Sequence, residues 1–179
     1  MRKLSPLVAA LAIAVPAAAW AGAPQPRKPV DPDRFVGRWH EVARTPNPRQ
    51  ANCAAATMDW TRSGEGFVVA QTCRQGSASG PAKTTRARAT PVRGANGNKV
   101  TMSFMGGVIR QEYWILDRAE DYSWAVAGTP GGNYVWVLSR RPDLPPAQLN
   151  AVLGRVRALG YDTARLDVPG RGAQARAER

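Results

Sequence analysis

Histidine is almost missing from this sequence: His40 is the single one among 179 residues. That excludes a histidine-based metal cluster, and a serine–histidine–aspartate arrangement would have to use His40, which stands beside Trp39 with no evident partner. Neither a Gly-x-Ser-x-Gly elbow nor a phosphate-binding glycine loop occurs. The chain is therefore expected to be no enzyme and to hold neither metal nor cofactor. Long apolar runs are scarce as well. The uncharged stretch from Leu4 to Ala19 is rich in Ala and falls short of the ~20 strongly apolar residues that span a bilayer. Cysteine is limited to Cys53 and Cys73, and neither lies near that stretch, so no lipid on an N-terminal cysteine is expected.

What the N-terminus does contain has the shape of a secretory signal. Arg2 and Lys3 precede the apolar run, which ends in Ala19-Trp20-Ala21, a small-x-small pattern suited to cleavage before Gly22. Residues 1–21 are expected to be removed, leaving a soluble protein in the periplasm. A Pro-rich lead over 22–30 and a tail over 170–179 are expected to be flexible, flanking one domain over 31–169. The formal net charge of +12 is strongly basic. Its basic residues are scattered rather than clustered in a motif, which predicts solubility and weak association with anionic membrane surfaces instead of specific nucleic-acid binding.

Two cysteines in an exported chain are expected to pair, because the compartment is oxidising. The stretch Arg62-Ser63-Gly64-Glu65-Gly66 reads as a turn. A hairpin centred near Ser63 sets Cys53 directly opposite Cys73, where Cβ atoms approach to roughly 4.5 to 5.5 Å. A disulfide closing the far end of that hairpin follows.

The rest of the chain alternates short strand-like runs with turn chemistry. The runs cover Gly37 to Arg44, Cys53 to Thr61, Gly66 to Arg74, Lys83 to Val92, Lys99 to Met105, Ile109 to Leu116, Asp121 to Ala127 and Asn133 to Arg140. A tight connection over Asp117 to Glu120 is expected between the sixth and seventh. Eight strands at this pitch predict an all-β antiparallel meander closed into a barrel, which leaves no free edge. After Pro142 the period changes: Leu149, Val152, Leu153, Val156 and Leu159 recur at helical spacing, started by Pro145-Pro146 and ended by Gly160. The eighth strand is apolar on both faces, as a strand must be when one face lines a core and the other carries a helix.

Gly37-Arg38-Trp39 heads the first strand and runs into His40-Glu41-Val42-Ala43-Arg44; Asp121-Tyr122 follows the sixth; Trp136-Val137-Leu138-Ser139-Arg140 forms the eighth. In order and separation these resemble the three signatures of the lipocalin family, and the first is similar to the Trp-Tyr-Glu-Val-Ala-Arg run of its bacterial outer-membrane, apolipoprotein D-like group. The likeness covers about Asp31 to Asp167. It implies an eight-stranded up-and-down barrel with one helix packed outside, in which Gly37, Trp39 and Arg140 are structural, with Trp39 plugging one end and Arg140 lying across it. It also implies a small hydrophobic ligand in the barrel, such as a fatty acid or lysophospholipid.

Alternation selects the lining. Ala54, Ala56, Met58 and Trp60 share one face of the second strand and Val100, Met102 and Phe104 one face of the fifth. Tyr134 and Trp136 share parity with Arg140. Tyr113 and Trp114 are both kept as candidates because their strand does not alternate cleanly, and Trp124 or Ala125 is left open for the same reason. The expected ligand-binding set is thus Met58, Trp60, Met102, Phe104, Tyr113, Trp114, Tyr134 and Trp136. An anionic head group would find Arg74, Arg86, Arg88 or Arg110 near the open end. The alternatives are a barrel that acts by binding another protein, as an inhibitor does, or a barrel enzyme using a free, inward-facing Cys53 or Cys73.

Overall fold

The computed structural model describes residues 22–169; the expected leader and tail lie outside them. Its centre is a closed antiparallel barrel in which each strand pairs with its sequence neighbours and the last returns to the first. The strands are β1 (Gly37–Arg44), β2 (Cys53–Ser63), β3 (Gly66–Gln75), β4 (Ala82–Pro91), β5 (Lys99–Phe104), β6 (Ile109–Arg118), β7 (Trp124–Gly128) and β8 (Val135–Ser139). A four-residue helix α1 (Pro32–Phe35) precedes the barrel, and α2 (Pro146–Ala158) follows it. No helix among the described residues is long and apolar enough to cross a membrane.

Two apolar clusters follow from strand alternation. Inward-facing Trp39, Met58, Trp60, Val69, Met102, Tyr113 and Leu138 form one, with Ala125 and Ala127 from β7. Outward-facing Val126, Val135 and Val137 form the other with Leu149, Val152 and Val156 of α2. Strand β8 is thus apolar on both faces because it serves both clusters. Arg155 Nε donates to Asp117 Oδ2 at 2.5 Å and fixes α2 to β6.

One end of the barrel is shut. Trp39 is fully buried, and its indole N–H donates to Phe35 O at 2.8 Å. The Arg140 guanidinium lies 3.7 Å from the Trp39 ring centroid and donates to the carbonyls of Arg38 and Arg34 at 2.9 and 2.7 Å. Gly37 has φ +98°, and a Cβ there would stand 3.3 Å from an Arg140 nitrogen, so a side chain would be strained and would crowd the cation. Phe35 closes the stack from α1, edge-on to Trp60 at 5.2 Å.

At four places a boundary moves by two or three residues from the sequence expectation. The β2–β3 turn is Gly64-Glu65, between paired Ser63 and Gly66, which sets Cys73 opposite Ala56, and a bulge after Cys53 sets Cys53 opposite Gln75. The Cys53–Cys73 disulfide forms all the same, as a diagonal between Cα atoms 5.4 Å apart rather than a directly opposed pair. Strand β6 runs on to Arg118 through a bulge near Leu116, so the connection is 119–123 and not Asp117 to Glu120. Strand β7 starts at Trp124 because Tyr122 adopts φ +62° and Asp121 Oδ1 accepts from Ser123 N, which ends extended backbone there. Strand β8 begins at Val135, two residues later than expected.

The lead over 22–30, expected to be flexible, is instead tied to the barrel. Pro130 O accepts from Ala23 N, Asn96 O from Val30 N, and Pro29 O from the Arg118 guanidinium, while Val30 is buried. Proline removes donors but leaves carbonyls, and neighbouring donors use them here.

Trp39→Ala is expected to lower the unfolding free energy by about 3–5 kcal/mol. Arg140→Gln should cost about 1–2 kcal/mol from the lost cation–π contact and hydrogen bonds. Urea unfolding followed by tryptophan emission measures both.

Candidate functional site

The end opposite Trp39 is open and leads into a cavity of about 580 Å³. Strand alternation supplies its deep walls: Met58 from β2, Met102 and Phe104 from β5, Tyr113 from β6 and Trp136 from β8. Small Ala56 leaves the space beside them, and Tyr113 and Trp136 stand 5.7 Å apart between ring centroids.

Three of the expected lining residues lie elsewhere. Trp60 is buried below the floor among Phe35, Phe67 and Tyr113. Trp114 points outward to the α2 cluster; its N–H donates to Glu112 Oε2 at 2.7 Å and Lys99 Nζ sits 4.0 Å over its ring. Consecutive residues of one strand cannot both face inward, and Tyr113 holds the inner position. Tyr134 precedes β8 and stacks on Trp136 at 6.1 Å without forming the wall. Likewise Ala125 faces inward and Trp124 outward. Arg74, Arg86, Arg88 and Arg110 are exposed and none lines the cavity; the cations at its mouth are Arg49 and Lys83.

The walls also carry polar groups that the apolar reading passed over. Gln71, Thr85 and Gln111 project inward between the apolar residues. Glu41 lines the cavity with its side chain only 4% exposed. It shares parity with Trp39, so alternation from the plug points to it. Gln50, on the turn Pro48–Gln50 of the β1–β2 connection, reaches down and donates to Glu41 Oε2 at 2.7 Å. The same Gln50 accepts from Asn47 Nδ2 at 2.6 Å and from Trp136 Nε1 at 3.3 Å. A loop at the mouth is thus bonded to the barrel wall at two points. Arg44 lies 3.7 Å from Glu41 and is itself held by Asp167 and the Cys53 carbonyl.

Burial raises the Glu41 pKa above its ordinary value of 4.5, and the Gln50 hydrogen bond and the Arg44 charge only partly offset it. The Tyr113 hydroxyl is pushed well above 10.0 by burial and by the neighbouring Glu41 charge. Its hydroxyl meets only the Met58 sulfur, at 3.4 Å. These groups can accept or donate hydrogen bonds to a guest. Nucleophilic chemistry has little to use: Cys53 and Cys73 both line the cavity but are bonded to each other, and His40 is not on its wall. Among the described residues no group of three His, Cys, Asp or Glu is placed to hold a metal ion.

This plugged barrel has an outer helix and a cavity open at one end, and residues 30–170 match the lipocalin-like domain. The chain belongs to the lipocalin family. The outer membrane lipoprotein Blc of Vibrio cholerae is 28% identical over 149 residues, covering 81% of this chain and 86% of that one. Temperature-induced lipocalin-1 of Arabidopsis thaliana is 26% identical, covering 78% of each. Among solved structures, this lipocalin is similar in fold to insecticyanin from the tobacco hornworm Manduca sexta, with a TM-score of 0.67 at 17% identity, covering 81% and 82% of the two chains. Lobster apocrustacyanin A1 gives 0.59 at 16% identity, covering 78% and 80%.

The Glu41 shift predicts a pH dependence of stability. A carboxyl whose folded pKa is raised holds its proton more tightly when folded, so its contribution is full below pH 4.5 and is lost as pH rises through the folded value. Glu41→Gln should flatten that decline, and unfolding midpoints measured from pH 4 to pH 8 read it. A parallel decline in both proteins would show that Glu41 is not its source.

Proposed function

We propose that this lipocalin carries one fatty acid, lysophospholipid or similar single-chain lipid in the cell envelope, with the acyl chain inside the barrel and the head group at the mouth. The cavity carries the reading: its volume lies within the range of about 300 to 1,000 Å³ that suits one small guest, and Met58, Met102, Phe104 and Trp136 give it adaptable apolar walls. A buried carboxyl at Glu41 disfavours an anion at the deep end, whereas Arg49 and Lys83 at the mouth favour one there. The orientation follows from that polarity.

Binding rather than catalysis is the role that fits these walls, with the aromatic and thioether side chains acting as contacts. Export by residues 1–21, removal of that leader and residence as a soluble periplasmic protein complete the proposal. The Vibrio cholerae relative's description as an outer membrane lipoprotein is consistent with an envelope location.

Native mass spectrometry of the protein expressed in a periplasm, with extraction of what it releases, is expected to give one lipid per chain. Ala56→Trp fills the cavity and should weaken fatty acid binding at least tenfold, read by fluorescence titration, while near-native circular dichroism confirms the fold. Removing both Arg49 and Lys83 charges should weaken an anionic lipid a few fold and leave an uncharged monoacylglycerol unaffected. A protein that emerges empty and shows no response to either lipid overturns the proposal.

A further inference from the structure

The open end of the barrel differs from the closed end in charge. Between Glu65 and Glu112 the chain carries no carboxylate; of its seven lysines and arginines, Arg74, Lys83, Arg86, Arg88 and Arg110 lie toward the open end, and Arg93 and Lys99 flank the β4–β5 connection at the plugged end. This segment forms β3, β4, β5 and the connection leading into β6. The other loops of the open end, over 45–52 and 129–134, contain no carboxylate either. At the plugged end Asp33, Asp59, Asp117 and Glu120 pair with Arg62, Arg38, Arg155 and Lys28, while at the open end Asp167 is paired with Arg44 on β1, away from β4 and β5.

Among the described residues, the two large apolar side chains that stand out most into solvent lie at this cationic end. Met105 is 74% exposed and Val108 81% exposed, both in the four-residue connection between β5 and β6. Met105, Gly106 and Gly107 all have positive φ, at 49°, 68° and 105°. Glycine takes that conformation freely, but a methionine pays for it, and its side chain is not repaid by burial. The tip also forms part of the cavity mouth, since Met105 lines it.

Cations flank the tip. Ala87 pairs with Phe104, so Arg86 and Arg88 stand on the outer face on either side of the strand end that leads into it. Arg88, Ser103 and Arg110 share one row across β4, β5 and β6. All three arginines are exposed, and among the described residues none is paired with a carboxylate. Helix α2 covers β6, β7, β8 and β1, leaving the outer face of β4 and β5 to solvent.

An apolar tip ringed by unpaired cations, beside the opening of a lipid-sized cavity, is complementary to an anionic bilayer: negative head groups outside, hydrocarbon just beneath. We propose that the β5–β6 tip is a membrane-docking element that inserts Met105 and Val108 into an anionic phospholipid surface while Arg86, Arg88 and Arg110 engage the head groups. Docked in this way, the cavity mouth faces the membrane and a lipid enters without crossing bulk water. A nucleic acid would use the cations but leave the apolar tip without a role.

Vesicle flotation tests it with the full chain after export. Binding is expected to vesicles of phosphatidylcholine with roughly one-third phosphatidylglycerol, to be absent with phosphatidylcholine alone, and to fall with added salt. Changing Arg86, Arg88 and Arg110 together to Gln should lower partitioning about a hundredfold, at about fivefold per charge. Val108→Asp should lower it about tenfold or more. Neither change touches the cavity wall, so both proteins should keep their fatty acid titration and unfolding midpoint. Ala56→Trp, whose barrel is filled, should still float with anionic vesicles; failure of the carrier reading therefore leaves this one standing. Equal binding to neutral and anionic vesicles, no binding to either, or vesicle binding that Val108→Asp leaves unchanged would overturn the proposal, as would capture by an acidic protein or DNA without capture by vesicles.

Discussion

Strand β1 must pair along both edges, with β2 on one side and β8 on the other, and the rest of the molecule depends on that closure. Once the first and last strands meet, no backbone edge is left to bind another chain, and the interior is cut off from water at one end only. Trp39 is fully buried at the start of β1, and Arg140, just past β8, lies over its ring. The contact joins residues about a hundred positions apart in sequence. It carries little energy as a pair but fixes which end of the barrel is shut, and therefore which end admits a guest.

Closure also divides the labour between the two ends. The plugged end concentrates aromatic packing, most of the ion pairs and the later part of the Pro-rich lead, where the Pro29 and Lys28 carbonyls accept hydrogen bonds from Arg118 and Asn98. The open end concentrates loops, small side chains and unpaired cations. Glu41 lies between them: a carboxyl buried in an apolar wall, tolerated because Gln50 and Arg44 meet it. That single group ties the β1–β2 loop to the cavity interior.

Reading the chain residue by residue recovers the barrel and most of its wall, because alternation and turn chemistry are local signals. Met58, Met102, Phe104, Tyr113 and Trp136 were legible for that reason. Trp60 and Tyr134 were not separable from them, since parity tells which face a residue takes but not how far along the barrel axis it lies. Trp114 was ambiguous where bulges interrupt the alternation of β6. The polar positions Gln71, Gln111 and Glu41 share parity with Val69, Tyr113 and Trp39, but hydropathy does not mark them as part of an apolar wall. The cations of the mouth were misplaced: outward-facing arginines near a strand end are not the same as the inward-facing Lys83 or the loop-borne Arg49.

Composition and spacing by themselves determined the strand count, the terminal helix and the pairing of the two cysteines, because each is encoded in short periods and fixed separations, and the family followed from the likeness of three short motifs to known signatures. Only the tertiary structure decided the register. A two-residue turn and a bulge after Cys53 shifted the cysteines from opposed to diagonal neighbours, and no local pattern announces a bulge that the closing of a barrel requires. Depth in the cavity, the partner of Glu41 and the assembly of scattered arginines around one apolar tip have the same origin. They are relations between strands, and they exist only once the sheet has curled and its last strand has found its first.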